Sequence, residues 1–151
     1  MMAESNEKGL ESLQVWQRAL AFAENIYKLV LPSLPGEEKW GLANQLRRSA
    51  SSIPANIAEG YGRYYYQDSV RFCYIARGSL EETFSHLTLA CNLGYVANDK
   101  YLPLLAEIQE LRRMLNGYIA FLKRSKRGEN EPGSTLPIHE DPAPYFSDPD
   151  S

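Results

Sequence analysis

The stretch SSIPANIAEGYGRYYYQD, residues 51–68, decides how the chain is read. It sets Pro54 inside a segment otherwise patterned as a helix. Gly60, Gly62, Arg63 and a run of tyrosines follow. Proline has no backbone N–H, and its ring crowds the carbonyl four residues earlier. Inside a helix this costs on the order of 3 kcal/mol unless something compensates. Ser49, Ser51 and Ser52 lie alongside, and serine hydroxyls can satisfy a freed carbonyl or bend a helix. Residues 37–60 therefore read as one helix kinked around 51–54. Its start near Glu37 and Glu38 suits the helix dipole, and Trp40 begins its apolar side. Gly60 or Gly62 stops it, because glycine takes the left-handed conformation of a helix C-cap.

The polar residues of this stretch need partners. Glu59 in the last helical turn opposes the dipole and calls for a cation. Asn56 sits among apolar residues and needs hydrogen bonds if buried. Asn56, Glu59, Arg63 and Arg77 are expected to form one internal network that docks the second helix on the third. Tyr61, Tyr64, Tyr65 and Tyr66 cannot all face one core, so they form a candidate partner or oligomer loop. Exposed aromatics beside arginine suit unpaired bases and protein interfaces alike.

Three further segments carry helical periodicity. Residues 13–31 place Trp16, Ala19, Leu20, Ala23, Ile26, Tyr27 and Val30 on one stripe and Val15, Phe22 and Leu29 on a second. A helix apolar on two faces is buried on two faces. Residues 67–93 run along Val70, Cys73, Tyr74, Arg77, Leu80, Phe84, Leu87 and Cys91, and Gly94 ends them. With Tyr65 at its start, Gln67 or Asp68 must organise that third helix. The fourth begins after Asn98 or Asp99, either of which can cap it. Its apolar residues, from Tyr101 to Leu122, repeat at close to 3.5, the spacing of bundle packing. Nothing alternates with the period of a strand. The expected fold is all-α, an up-down antiparallel four-helix bundle over 13–126. Residues 1–12 and the acidic, Pro-rich 127–151 are expected to be disordered.

Charge is divided along the chain. Residues 128–151 hold six acidic side chains and no Lys or Arg. The other 127 residues carry all 16 Lys and Arg against 13 acids, a net of 16 − 13, or +3. A mildly basic body with an acidic tail hints at a polyanion partner or at a shielding tail. Cys73 and Cys91, about 27 Å apart along one helix, are too far apart to pair, which suits reduced thiols in a cytoplasmic protein. No apolar run could span a bilayer. His86 and His139 are isolated, so no metal-ligand set or nucleophile–base pair is visible. The expectation is a protein without catalytic residues, metal or cofactor.

The segments VWQRALAFAENIYKL, GLANQLRRSASSIPANIAEGYGR, RFCYIARGSLEET and LGYV together resemble the 23S rRNA intervening-sequence proteins, over about residues 13–124. The resemblance implies an up-down bundle assembled as a homopentameric ring. It also points to relatives among the accessory variability determinants of diversity-generating retroelements, which bind nucleic acid and a reverse transcriptase. RNA, a reverse transcriptase and further copies of the chain are thus the implied partners. The candidate nucleic-acid contacts are Arg47, Arg48, Arg112, Arg113, Lys123 and Arg124. A protein-interaction scaffold without nucleic-acid binding is the rival reading.

Overall fold

The structure is a computed structural model that describes residues 9–129. The expectation of disorder for residues 1–8 and 130–151 lies outside the described residues. Four helices make up the fold, α1 (Gln14–Asn25), α2 (Leu42–Tyr61), α3 (Tyr66–Asn92) and α4 (Asn98–Ser125), and no strand occurs among the described residues. α1 packs on α2 and α4, and α3 packs on α2 and α4, so the helices form a four-sided packet. Cross-helix contacts fix their directions. Ser49 meets Thr83 and Ser52 meets Ser79, so α2 and α3 are antiparallel. Glu81 meets Arg112 and Arg77 meets Asn116, so α3 and α4 are antiparallel as well.

The core is aliphatic. Phe22 and Ile26 of the first helical segment meet Leu46, Ile53 and Ile57 of α2, Leu80 and Leu87 of α3, and Leu104 to Leu115 of α4. Each fully buried Leu or Ile contributes roughly 1.5–3 kcal/mol relative to exposure. A smaller cluster at one end joins Val70 and Cys73 to Ile119 and Leu122. The four apolar segments of the sequence thus each supply a wall of the core.

Several boundaries differ from the sequence reading. α2 starts at Leu42 rather than near Glu37. Gly36–Glu38 make one 3₁₀ turn, and Gly41 leaves helical geometry, so the hydrogen-bond ladder restarts after it. Trp40 therefore lies outside the helix, 80% exposed. α2 runs through Pro54 unbroken. The serine hydroxyls beside it bond the carbonyls of Leu46, Arg47 and Arg48, not the Ala50 carbonyl that proline leaves free. Neither Asn98 nor Asp99 caps α4, whose N-cap is Ala97; Asn98 Oδ1 instead accepts from the Cys91 thiol. Tyr65 is the N-cap of α3, so neither Gln67 nor Asp68 caps it. Gly94 does terminate α3 in the left-handed region, with φ at +83°. At the end of α1 the helix widens into a π turn, Ile26–Val30, that continues its line.

Gly60 does not cap α2 with left-handed geometry; it lies inside the helix because α3 passes so close. A Cβ there would stand 2.9 Å from both Phe72 Cβ and the Ser69 carbonyl. Gly78, on the outer side of α3, would meet nothing within 4 Å. Gly60→Ala is therefore expected to lower stability by about 1–3 kcal/mol in urea denaturation. Gly78→Ala is expected to raise it by up to about 1 kcal/mol, because only helix propensity changes.

Candidate functional site

α2 and α3 approach along a seam of small and hydroxyl-bearing residues. The Thr83 hydroxyl reaches Ser49 Oγ at 2.8 Å and the Ser79 carbonyl at 2.8 Å. Ser52 and Ser79 share a hydrogen bond of 2.8 Å, and Asn56 Nδ2 donates to Ser52 Oγ and to its carbonyl, both at 2.8 Å. At the end of the seam Ser69 Oγ donates to the Gly60 carbonyl at 2.8 Å. Short side chains let the two backbones draw together, and each buried hydroxyl finds its partner across the gap.

This seam divides the network expected at Asn56, Glu59, Arg63 and Arg77. Asn56 belongs to the seam. Glu59 pairs with Arg63 at 2.7 Å on the surface. Arg77 reaches across to Asn116 Oδ1 on α4 at 3.1 Å and lies over the Tyr74 ring. The four residues thus serve three separate contacts. Asn56 and Glu59 share one face of α2, but Asn56 turns back to Ser52 inside the seam while Glu59 turns out to Arg63 beyond the helix end, so they meet different neighbours.

The tyrosine turn is held from below by the end of α4. Arg127 Nε donates to the Tyr64 carbonyl at 2.7 Å, and its Nη2 donates to the Arg63 carbonyl. The Tyr66 amide donates back to the Arg127 carbonyl at 2.9 Å, which satisfies a free N–H at the start of α3. Gly128, at φ +81°, abuts Tyr65. Tyr64 and Tyr65 meet edge to face at 5.4 Å, and Tyr66 packs on the end cluster of the core. Tyr61 is half-buried, so Tyr64, 55% exposed, is the outward member of the set.

The six cations singled out in the sequence do not share one surface. Arg112 is clasped by Glu81 through two hydrogen bonds, one of 2.9 Å, and lies over Phe84. Arg113 pairs with Glu110, and Lys123 lies over the Tyr74 ring. Lys123 and Arg124 are about 16 Å along α4 from Arg112 and Arg113. Arg47 and Arg48 stand on α2, diagonal to α4, and have no carboxylate partner among the described residues; Arg124 is exposed. Spacing along one helix could place these residues, but not the carboxylates across the interface that hold Arg112. Ser69 and Thr83 carry no signal in the sequence that marks them, and Arg127 falls at the edge of the expected tail.

Between α1 and α2 runs an open groove of about 570 Å³. Trp16, Leu20, Ala23 and Tyr27 form one wall, and Pro54, Ala55 and Ala58 the other. Leu10 closes one end, while Glu24, Lys28 and Ser51 line the rest. Trp16, Leu20 and Tyr27 face this groove, whereas Ala19, Ile26 and Val30 of the same stripe are buried in the core.

Titratable groups are perturbed by burial. The Cys73 thiol is pushed up to about 12 by desolvation. Tyr118 is also pushed to about 12, mainly by burial, with Cys73 and Tyr61 adding to the shift and Arg127 opposing it. Glu107, between α1 and α4, is raised by burial against the hydrogen bond from Asn25 and the charge of Arg18. No group of three or more potential metal ligands occurs among the described residues. No described helix is long and apolar enough to cross a membrane.

The sequence pattern of the 23S rRNA-intervening sequence proteins matches residues 11–117. In structure the chain is similar to a protein of unknown function from the S23 ribosomal protein family of Bacteroides thetaiotaomicron VPI-5482. The TM-score is 0.64 and the sequence identity 27%, covering 70% of this chain and 97% of that one. No curated protein matches the chain.

Burial of Cys73 and Tyr118 favours their protonated forms in the folded state. The stability they contribute is fully present below pH 9, the ordinary cysteine value, and is lost as the pH climbs from 9 through about 12. The urea midpoint is expected to hold steady from pH 7 to 8.5 and to fall progressively above pH 9. A midpoint flat to pH 11 would contradict this account.

Proposed function

The chain belongs to the 23S rRNA-intervening sequence protein family, and from that premise we propose a non-catalytic, self-associating helical bundle that binds structured RNA. One observation carries the RNA reading. Arg47 and Arg48 stand side by side on α2 with no carboxylate partner among the described residues, while Arg112 and Arg113 are engaged by Glu81 and Glu110. Free guanidiniums can take phosphate oxygens in pairs and release counterions from the nucleic acid. Arg124, exposed at the far end of α4, lies apart from this pair. A ring of copies, the homopentamer that the family resemblance implies, would repeat these few charges on one face. The non-catalytic reading is supported by residue chemistry: Cys73 is held as a thiol, and the His86 ring pairs with Glu82 at 3.4 Å.

Self-association is supported by the outer line of α3. Ile75, Leu89 and Leu93 are 51%, 48% and 52% exposed and recur at helical spacing. Copies can bury this line against one another. Light scattering is expected to find an oligomer at micromolar concentration, and Leu89→Glu to shift it toward the monomer. A wild-type monomer would refute self-association.

RNA binding is tested by mobility shift with a structured RNA across a salt series. Affinity is expected to fall as salt rises, and the double change of Arg47 and Arg48 to Ala to flatten the log–log slope by about 2. Binding absent at low salt, or insensitive to salt, overturns the reading.

A further inference from the structure

The groove between α1 and α2 carries a charge pattern that its apolar lining does not explain. Lys28 lines its end farthest from Leu10. Arg47 falls on the stripe of Ser51 and Pro54, and Arg48 on that of Ser51 and Ala55, by helical spacing. Three cations thus gather toward one end of an aromatic-lined trough, Lys28 in its lining and Arg47 and Arg48 one turn beyond Ser51; Glu24 is the carboxylate of the lining, and Glu59 falls at the opposite end, paired with Arg63. The walls are Trp16, Tyr27, Pro54 and Ala55, and Tyr27 and Lys28 both lie in the π turn. Such turns are frequent at functional sites. Aromatic-lined troughs suit proline-rich peptide, which loses little entropy on binding.

The chain itself carries a matching peptide. Residues 136–151, LPIHEDPAPYFSDPDS, combine four prolines, the pair Tyr145–Phe146, four acids and no Lys or Arg. We propose that this segment docks in the groove of its own chain. Tyr145 and Phe146 then rest between Trp16 and Ala55, and Asp148 and Asp150 meet Lys28, Arg47 and Arg48. Reach and register both fit. Arg127 is tied to the carbonyls of Arg63 and Tyr64, so the chain leaves the described region beside the end of α2, where the groove begins at Ala58. Residues 130–136 can span about 23 Å, enough to cross one or two interhelical distances of 8–10 Å. Along the groove, Ala55 to Arg48 is about 10 Å of helix, and Tyr145 to Asp148 is about 10 Å of extended chain. Aromatic residues and acids therefore arrive together at their counterparts.

Disulfide trapping in the full-length chain, with Cys91→Ser as background, tests the docking. Ala55→Cys is combined with Pro144→Cys, and the reference pair joins Pro144→Cys to Gly78→Cys on the opposite, outer side of α3. Adducts are followed by non-reducing gel and intact mass in a glutathione buffer. The 55–144 bond is expected to form within one chain at least tenfold faster than 78–144. Changing Tyr145 and Phe146 to Ser should bring it down to the reference rate. Equal rates for the two pairs would overturn the proposal, as would trapping unaffected by loss of the aromatic pair. An adduct joining two chains would place a neighbouring copy's segment in the groove and overturn the intrachain assignment. The readout uses no RNA, so it stands or falls apart from the RNA reading.

Discussion

The closeness of α2 to α3 is the constraint on which the rest of the bundle depends. At Gly60 the backbones approach so tightly that one methyl group would collide with Phe72 and with the Ser69 carbonyl. Nearness on this scale forbids large side chains, and so the seam is built from Ser49, Ser52, Asn56, Ser69, Ser79 and Thr83. Such residues bring polar groups into the interior, where an unpaired hydroxyl costs about 1–3 kcal/mol. The hydroxyls meet each other across the gap, and no buried side-chain nitrogen or oxygen lacks a partner among the described residues. Close packing and polar satisfaction are here one arrangement.

α4 completes the packet with charge as well as with its buried apolar side chains. Glu81 clasps Arg112, and Arg77 reaches Asn116, both partly buried between α3 and α4. At its end, Arg127 reaches back over the turn that joins α2 to α3 and binds two of its carbonyls. The turn between the most tightly packed helices is thus secured by a residue just beyond the end of α4. The same contacts engage Arg112 and Arg127, whereas Arg47 and Arg48 on α2 have no carboxylate partner among the described residues.

The apolar stripe of α1 divides its labour. Val15, Ala19, Phe22 and Ile26 face the core, whereas Trp16, Leu20 and Tyr27 line the groove against Pro54 and Ala55. Pro54 is therefore more than an interruption in α2. Its flat apolar ring is part of a trough beside the basic end of the helix. A surface of this kind would link the two properties proposed for the chain, an affinity for polyanions and a place for an acidic peptide.

Periodicity alone determined that four helices form, where their apolar faces lie and that no strand competes, because burial of a stripe depends on spacing that every window of the sequence displays. Gly94 was legible for the same local reason: a left-handed residue at a helix end favours glycine. What tertiary structure decided were relations between helices. Thr83, Ser69 and Ser79 look like surface residues in sequence, and only the approach of α2 makes them interior. Asn56, Glu59, Arg63 and Arg77 look like one network, and only the directions of their neighbours separate them. Arg112 looks free for phosphate until Glu81, 31 residues away, is folded against it. A side chain's charge and shape are written in one residue, but its partner is chosen by the packing of two.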